Sequence, residues 1–454
     1  MQGIALSIKN GYNNRQILAG GIGFAGKGRV IHMSNENAEK LLTFIEQSPS
    51  AFHVVYNMRR QLDAAGFVYL PENKPMNIEY GKAYYTIRND ASLIAWRMPE
   101  QEPVGFHIAA AHSDSPAFLI KEHPEIKKKY YITLNVEKYG GMILSSWFDR
   151  ALSIAGRVAV AGEHGIESRL VSLDRDLLVI PSLAIHMDRN VNAGKTFNVQ
   201  EDMLPVYAQE DGAGIRELAA GAAGVQPGQI VGQELYLYVR EKGHFVGRDG
   251  EWILAPRLDD QQCAYGVIQG LLSSRVHNKI AMAAVFHNEE VGSGTRQGAD
   301  STFLEDVITW ITEAIGISDG GKRRMITNSF LISADNAHGI HPNYESKADP
   351  TNQPLLNGGI VLKFHGGQKY TSDAMTSGYL RTLCKGAGVS CQSYHNRSDI
   401  AGGSTLGNIS TAHVSIPSVD IGLAQWAMHS AMETAGTKDL DALIRLCEHF
   451  YGVD

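Results

Sequence analysis

The sequence has little cysteine and no long apolar run. Its 454 residues include four cysteines, none of them in a C-x-x-C pair. This scarcity excludes a disulfide scaffold and a thiolate zinc finger, and it fits a reducing compartment. No uninterrupted apolar stretch reaches the ~18 residues that a membrane helix needs. We therefore expect a cytoplasmic protein that does not associate with membranes.

An excess of positive charge is also missing. Lysine and arginine number 41 against 48 aspartates and glutamates, which gives a net charge of −7. A dedicated nucleic-acid binder normally carries a basic surplus, so this class is excluded. The basic and aromatic run 127–131 is instead interpreted as an exposed hairpin edge, where lysines discourage pairing with another strand.

The first 32 residues differ from the rest of the chain. They hold four basic residues, no acidic residue and seven glycines. The segment 21–26 matches the dinucleotide-binding string G-x-G-x-x-G, but neither a clear strand before it nor a helical pattern after it supports that function. We interpret residues 1–32 as a disordered leader, or as sequence upstream of an alternative start at Met33. Ser34 would then cap the first helix.

Apolar periodicity predicts the fold. Apolar residues recur at helical spacing over 34–65, and 104–111 has the pattern of a buried strand. Residues 117–249 alternate between apolar and polar, which is typical of a β-rich insert. Further strands are expected at 279–286, 329–334, 360–365 and 413–421, and further helices near 303–315, 372–386 and 438–451. Residues 263–272 are apolar enough for another helix, although 258–262 show no clear helix start. This order predicts an α/β fold: a mixed central sheet with helices on both faces, built from residues 33–116 and 250–454 and interrupted by the insert.

Ligand-type side chains stand where the predicted buried strands end. In open α/β sheets, sites form outside the carboxyl ends of the strands. These ends, together with the start of the second α/β half, carry His112 and Asp114, Glu289 and Glu290, Asp335, His429 and Asp259. Imidazoles and carboxylates without a thiolate suit hydrolytic zinc, cobalt or manganese. Each residue alone has an ordinary structural explanation, such as a helix cap, so the joint pattern carries the prediction.

The number of ligands matches two metal ions. Two histidines and three carboxylates suffice for two divalent cations ~3.5–4 Å apart that share one carboxylate, and such a pair can activate water and polarise a scissile carbonyl. In extended backbone, the side chains of Glu289 and Glu290 would point in opposite directions. One could then bind a metal ion while the other acts as general base. Asp114 could accept the second N–H of the His112 imidazole or steady the bridging group.

Five motifs appear in order along the chain. They are Ala111-His-Ser-Asp-Ser-Pro116, Pro256-Arg-Leu-Asp259, Asn288-Glu-Glu-Val-Gly-Ser293, Asp335-Asn-Ala-His-Gly-Ile-His-Pro-Asn343 and Ala427-Met-His-Ser430. Over residues 34–454 the chain resembles the aspartyl aminopeptidase and vacuolar aminopeptidase I family of two-zinc exopeptidases. The resemblance implies that His112, Asp259, Glu290, Asp335 and His429 are the metal ligands. It also implies that Asp259 bridges the two ions and that Glu289 is the general base.

The same resemblance implies an assembly and a substrate pocket. In this family a β-rich insert is a dimerisation domain, and dimers form a tetrahedral dodecamer with an enclosed chamber. By motif position, His186 would reach into a neighbouring subunit's active site. His338 would contact the substrate near its scissile carbonyl, Lys363 would lie near the side-chain pocket, and Tyr370 would lie near the site.

Two positions depart from the family pattern. His287 stands where many relatives have aspartate, and Asp260 stands where asparagine is common. Neither residue replaces a ligand, so the departures concern metal affinity and pH optimum rather than the presence of catalysis.

Together these features predict a metal-dependent aminopeptidase. It would hydrolyse the N-terminal residue of short peptides that have a free N-terminus, with two divalent ions per subunit, and it would be a homo-oligomer without a nucleic-acid partner. Lys363 favours N-terminal Asp or Glu, since a confined cation pairs with a carboxylate. If Lys363 instead pairs with an acid of the protein, neutral residues such as Leu are favoured. A related two-metal dipeptidase and a non-catalytic cage protein are the alternatives.

Overall fold

The computed structural model describes residues 36–163, 165–403 and 405–453. The predictions for residues 1–32, for Met33 and for a cap at Ser34 lie outside these residues. The described helices are α1 (Glu36–Gln47), α2 (Ala51–Ala64), α3 (Val199–Asp202), α4 (Ile215–Ala223), α5 (Leu258–Ser273), α6 (Phe303–Ala314), α7 (Asp319–Thr327), α8 (Ala374–Ala387), α9 (Leu406–His413) and α10 (Asp439–Gly452). No helix in this part of the chain has both the length and the apolar character to cross a bilayer.

The described strands fall into two sheets. They are β1 (Val68–Tyr69), β2 (Ala83–Arg88), β3 (Ser92–Arg97), β4 (Phe106–His112), β5 (Ala117–Lys127), β6 (Ile132–Tyr139), β7 (Leu152–Gly162), β8 (Gly165–Ser172), β9 (Val206–Ala208), β10 (Ile230–Val239), β11 (His244–Val246), β12 (Trp252–Ala255), β13 (Ile280–Phe286), β14 (Phe330–Ala334), β15 (Ala337–His338), β16 (Ile360–Phe364), β17 (Cys391–His395), β18 (Ser418–Trp426) and β19 (Glu433–Gly436).

The main sheet is mixed and has a parallel centre. Along its path the order is β1-β2-β3-β13-β4-β14-β18-β19-β12-β11, while β15 and β16 also pair with β18, and β17 pairs with β16. Strand β4 lies between β13 and β14, and β14 pairs with β18, all in parallel. Antiparallel β3 flanks β13 on the other side.

Helices cover both faces of the main sheet. Strand β4 is buried along its whole length, as expected for a strand between two helical layers. Successive side chains of a strand point to opposite faces. Accordingly, Ala109 and Ala111 join a core with α1, α2, α5, α8 and α10, while Ile108 and Ala110 join a core with α6, α7 and α9. The predicted α/β architecture is confirmed.

The second sheet is formed by the chain between β4 and β12. Its six strands are antiparallel and follow the order β8-β7-β10-β5-β6-β9. A core of its own includes Phe118, Trp147 and Leu235, with Ile215 from α4 packed against them. The predicted domain limits and the role of this sheet in dimerisation stay predictions.

Two predicted elements have wrong limits. The helical pattern of 34–65 is interrupted between α1 and α2, where Pro49 cannot supply the N–H that a continuous helix needs. The strand predicted at 413–421 begins too early, because α9 extends through His413 and β18 starts at Ser418. Sequence reasoning did not predict α3, α4, α7 or α9, and in α7 two glycines lower the helix propensity.

Candidate metal centre

Parallel strands bring the predicted ligands to one edge of the main sheet. Because β4, β13, β14 and β18 run in the same direction, their carboxyl ends lie on the same side. A ligand-type residue ends each strand or follows it within four residues: His112 at β4, Glu289 and Glu290 at β13, Asp335 at β14 and His429 at β18. The structure therefore brings together residues that are far apart in the sequence.

Asp259 lies between the two histidines. Its Oδ1 is 3.5 Å from His112 Nε2, and its Oδ2 is 3.4 Å from His429 Nε2. One carboxylate thus faces two imidazoles through different oxygens, which is what a shared ligand of two cations requires. Asp259 and Asp260 have non-helical dihedral angles within the start of α5, which explains why the sequence shows no clear helix start there.

Each imidazole also has a second carboxylate beside it. Asp335 Oδ1 lies 3.9 Å from His112 Nε2, and Glu290 Oε2 lies 3.4 Å from His429 Nε2. Ligand atoms of His112, Asp259 and Asp335 lie within 4.8 Å of one another, and so do those of Asp259, Glu290 and His429. These two groups share Asp259, and the first of them also includes Asp260.

The donor set fits divalent cations. Asp259 Oδ1 and Glu290 Oε1 are buried and find no hydrogen-bond partner among the described residues, a costly state for carboxylates unless a cation lies beside them. Burial raises the pKa of Glu290 well above its usual range, and the negative charge of Asp259 adds to the rise. Bound cations would remove this repulsion. Imidazole and carboxylate donors are also the ligands found in catalytic zinc sites.

Glu289 faces the same cluster. Ligand atoms of His112, Glu289 and Glu290 lie within 4.8 Å of one another. Burial raises the pKa of Glu289 to about 8, with Asp335 and Asp114 adding to the rise and His112 opposing it. The predicted extended backbone is wrong here, because Glu289–Val291 forms a 3₁₀ turn. The argument from opposite side-chain directions therefore does not apply, and the contacts alone distinguish the two glutamates.

Asp114 holds the turn that carries these glutamates. Its Oδ1 accepts the Glu289 N–H at 3.2 Å, and its Oδ2 accepts the Glu290 N–H at 3.1 Å and the Tyr139 hydroxyl at 2.7 Å. The backbone carbonyl of Asp114 lies 3.1 Å from His112 Nδ1, closer than Oδ1 at 3.5 Å. The second imidazole nitrogen thus meets the carbonyl, and the carboxylate positions Glu289 and Glu290.

Glu433 has a similar position on the other side of the cluster, and sequence reasoning missed it. The residue is 1% exposed. Its Oε2 accepts the Asp259 N–H at 3.0 Å, and its Oε1 accepts the His429 N–H at 2.7 Å. Burial raises the pKa of Glu433 to about 8, and Asp259 adds to the rise. The one sequence signal is an acid at the first residue of a short strand, four residues after His429.

Lys363 and Tyr370 lie beside Asp335. Lys363 is buried, and its Nζ lies 3.6 Å from Asp335 Oδ2 and 5.5 Å from the centre of the Tyr370 ring. Burial by itself lowers the pKa of Lys363, but the charge of Asp335, together with those of other nearby acidic groups such as Tyr370 and Asp420, outweighs it and raises the pKa. The lysine therefore has an acidic neighbour within the protein, the arrangement that favours neutral substrates.

His338 marks a cavity next to this group. Its ring meets the Tyr394 ring edge-on at 6.1 Å, and both residues line a cavity of about 300 Å³ together with His341 and Trp426. Burial lowers the pKa of His338, and the charge of Lys363 adds to the effect. A neutral imidazole beside an open cavity can donate or accept a hydrogen bond from a substrate.

His186 is the one predicted site residue that lies apart. It is exposed in the connection between β8 and β9. Within the described chain, no hydrogen bond or ion pair joins it to the cluster. Its neighbours Leu183, Ile185 and Met187 are exposed apolar side chains.

The two positions that depart from the family pattern touch supporting groups. Asp260 is fully buried, and its Oδ2 accepts the backbone N–H of His112 at 3.2 Å. His287 places its Nδ1 3.7 Å from Asp114 Oδ1, and its ring stacks on Tyr139 at 6.3 Å. Asp260 therefore lies within the group around His112, whereas His287 contacts the cluster through Asp114 and Tyr139.

Fold and cluster together define a class of protein. An α/β sheet whose strand ends gather two imidazoles and several carboxylates around one shared carboxylate is the arrangement of a metal-dependent hydrolase.

Comparison with known proteins identifies the family. A family model described as Aminopeptidase I zinc metalloprotease (M18) matches residues 44–451. A probable M18 family aminopeptidase 2 from Clostridium novyi (strain NT) is 42% identical over 430 residues, which are 92% of this chain and 96% of that protein. Another from Ectopseudomonas mendocina (strain ymp) is 38% identical and covers 92% of this chain and 99% of that protein. The chain belongs to the M18 family and is a metal-dependent aminopeptidase, which confirms the resemblance.

Solved structures share the fold. A chain in the cryo-EM structure of the Ape4 and Nbr1 complex is 33% identical with a TM-score of 0.88, and the match covers 91% of this chain and 85% of that one. A chain of the S. cerevisiae mApe1 dodecamer is 24% identical with a TM-score of 0.80, over 92% and 96% of the two chains.

Proposed function

We propose that the chain removes the N-terminal residue of short peptides at a site that holds two divalent metal ions per subunit. Zinc is the first candidate, with cobalt and manganese as alternatives. The observation that carries the proposal is Asp259, whose two oxygens face His112 and His429 separately. His112 and Asp335 would complete the ligands of one ion, and Glu290 and His429 those of the other.

The residues of the chain would share the proton transfers. When bound, such ions polarise a scissile carbonyl and lower the pKa of water. Glu289 would take a proton from the attacking water and pass it to the leaving amine. Its position beside His112 and Glu290 supports this role. Asp114 and Glu433 would keep the ligands in place through their hydrogen bonds to the backbone.

Glu289→Gln tests this division of roles. We expect the variant to keep its metal content and to lose turnover by about 10²–10⁴-fold, the usual contribution of a general base. Glu290→Gln is the matched control, since it should lose metal from the same turn. Metal content by mass spectrometry and turnover of aminoacyl fluorogenic substrates are measured together. Loss of metal from Glu289→Gln would assign Glu289 as a ligand.

Metal removal tests the reaction itself. Chelation should abolish cleavage of Asp-, Glu- and Leu-aminoacyl substrates, and added zinc, cobalt or manganese should restore it. An aminopeptidase ignores N-terminally blocked peptides and trims peptides longer than two residues. Cleavage of dipeptides alone would favour the dipeptidase, and no cleavage with any metal would favour a non-catalytic cage.

The preference for N-terminal Asp or Glu rests on Lys363. Its buried Nζ lies 3.6 Å from Asp335 Oδ2, which is longer than a hydrogen bond. A metal ion on Asp335 would weaken this attraction and leave the ammonium available to a substrate carboxylate. The same ion pair supports the second candidate, a preference for neutral residues, if it persists in the metal-loaded enzyme. The ranking of Asp, Glu and Leu substrates distinguishes the two.

A homo-oligomer is part of the proposal. The exposed apolar residues Leu183, Ile185 and Met187 surround His186, which supports contact of this segment with a neighbouring subunit. A dodecamer like that of mApe1 would bring His186 to a second active site. Light scattering should then give about twelve times the chain mass, and a monomer would remove the proposed role of His186.

The proposed location is the cytoplasm. All four cysteines are free thiols in the structure, which supports a reducing compartment.

A further inference from the structure

A cavity separate from the metal cluster lies where the two sheets meet the first helices. It has a volume of about 620 Å³ and is lined by the end of α1, by α2, by the end of β10 and by Pro256 and Arg257. None of the proposed metal ligands lines it.

Arg257 brings an incompletely paired guanidinium to this cavity. One N–H is accounted for, since Nη2 donates to the Ile45 carbonyl at 2.9 Å. Nε is buried without a hydrogen-bond partner, and within the described chain no carboxylate forms an ion pair with Arg257. A buried guanidinium without a carboxylate partner is costly for the protein.

The acids in the cavity wall are already engaged with other cations. Glu46 pairs with Lys242, Asp174 pairs with Arg240, and Glu241 pairs with Arg150. Arg60, the other arginine that lines the cavity without an ion pair among the described residues, is exposed. Two guanidinium groups thus have no carboxylate partner among the described residues, and the cavity wall has an excess of positive charge.

Neutral polar groups extend the same wall. His53 lies beside Arg257, and its Nδ1 is 2.8 Å from Ser50 Oγ. Burial lowers the pKa of His53 to about 4, and the charge of Arg257 adds to the effect. Because the His53 imidazole is neutral, the arginines are the charged groups that an anion in this cavity would meet. The imidazole offers a further hydrogen-bonding group.

We propose that this cavity is a binding site for a small oxyanion, of the carboxylate or phosphate class, held by Arg257 and Arg60. The planar guanidinium matches both oxyanions with two parallel hydrogen bonds. Arg257 lies two residues before Asp259, so an anion here stabilises the segment that carries the shared carboxylate. The proposal does not depend on the peptidase mechanism.

Thermal unfolding of the metal-loaded protein tests the site. Inorganic phosphate and acetate are titrated separately at constant ionic strength, which distinguishes the two oxyanion classes. We expect at least one of them to raise the Tm by about 2 °C in a saturable way, because a ligand that binds only the folded state stabilises it. The proposal is overturned if neither anion raises the Tm of the wild-type protein, or if the rise does not saturate with increasing anion concentration.

Variants locate the effect. Arg257→Gln should abolish the saturable rise, whereas Arg248→Gln, an equal charge change at an exposed arginine outside the cavity, should keep it. An equal rise in Arg257→Gln would place the anion elsewhere, the metal ions included, and would overturn the proposal. If Arg257→Gln does not fold, Arg60→Gln should raise the anion concentration at half-saturation several-fold, and an unchanged midpoint would have the same consequence.

Discussion

Glu433→Gln is the most informative substitution outside the proposed metal ligands. Glu433 accepts the Asp259 N–H and the His429 N–H, one on each oxygen. Glutamine has one carboxamide oxygen, so one N–H keeps an acceptor and the other faces an NH₂ group. The perturbation therefore acts on the backbone of the shared carboxylate or of the second histidine, without removing a ligand.

The magnitude follows from these two bonds. A buried donor left unsatisfied costs ~1–3 kcal/mol. Loss of charge adds no further cost, because a pKa of about 8 leaves Glu433 largely protonated at neutral pH in the metal-free protein. The free energy of unfolding of the metal-free protein should then fall by about 1–3 kcal/mol. Displacement of a supporting group lowers metal affinity by about 10–100-fold.

Asp439→Asn is the matched control. Asp439 is 1% exposed and likewise accepts two backbone N–H groups, from Asn357 at 2.7 Å and from Gly359 at 2.8 Å, but it does not belong to the metal cluster. It should lose similar stability and keep its metal affinity. Urea unfolding of chelated protein measures the first quantity, and zinc titration against a competing chelator measures the second. Wild-type zinc affinity in Glu433→Gln would refute the positioning role.

Two further predictions concern pH and specificity. Burial, assisted by Lys279, lowers the pKa of His107 to about 3. The unfolded chain therefore binds a proton below pH ~6.5 that the folded chain does not. For this group, the free energy of unfolding decreases by ~1.4 kcal/mol for each unit by which the pH is lowered. Urea unfolding of the chelated protein measures the free energy of unfolding at several pH values between about 6.5 and 4.5. His107→Asn should make this free energy depend less on pH, and an unchanged dependence would contradict the assignment. Lys363→Met should reduce the kcat/KM ratio of Asp- over Leu-substrates by about 10–100-fold, as expected for a lost charge-assisted bond; an unchanged ratio would support the neutral preference.

The main sheet could be predicted because its strands are continuously apolar. Strands β4, β13 and β14 are buried along their whole length, so each appears in the sequence as a short apolar run that ends at a polar residue. The limits were less predictable where apolar residues continue across a boundary, as between α9 and β18. The interruption at Pro49 follows from proline chemistry alone and was readable in the sequence.

The supporting residues could not be predicted in the same way. Glu433 contacts the backbone of Asp259, which lies 174 positions away, and a carboxylate that accepts N–H groups leaves no local periodicity. Asp114 shows the same limit. Its spacing from His112 predicted a role toward the imidazole or toward the bridging group, whereas its carboxylate accepts the backbone N–H groups of Glu289 and Glu290.

The sequence by itself determined the chemistry that this protein can perform, because imidazoles and carboxylates after buried strands define a metal-dependent hydrolase wherever those strands lie side by side. Only the tertiary structure decided which of these groups face one another. Asp259 faces both His112 and His429 because parallel strands end at one edge while the irregular start of α5 holds its carboxylate between them. Such an arrangement depends on distances across the sheet, which the linear order of residues does not contain.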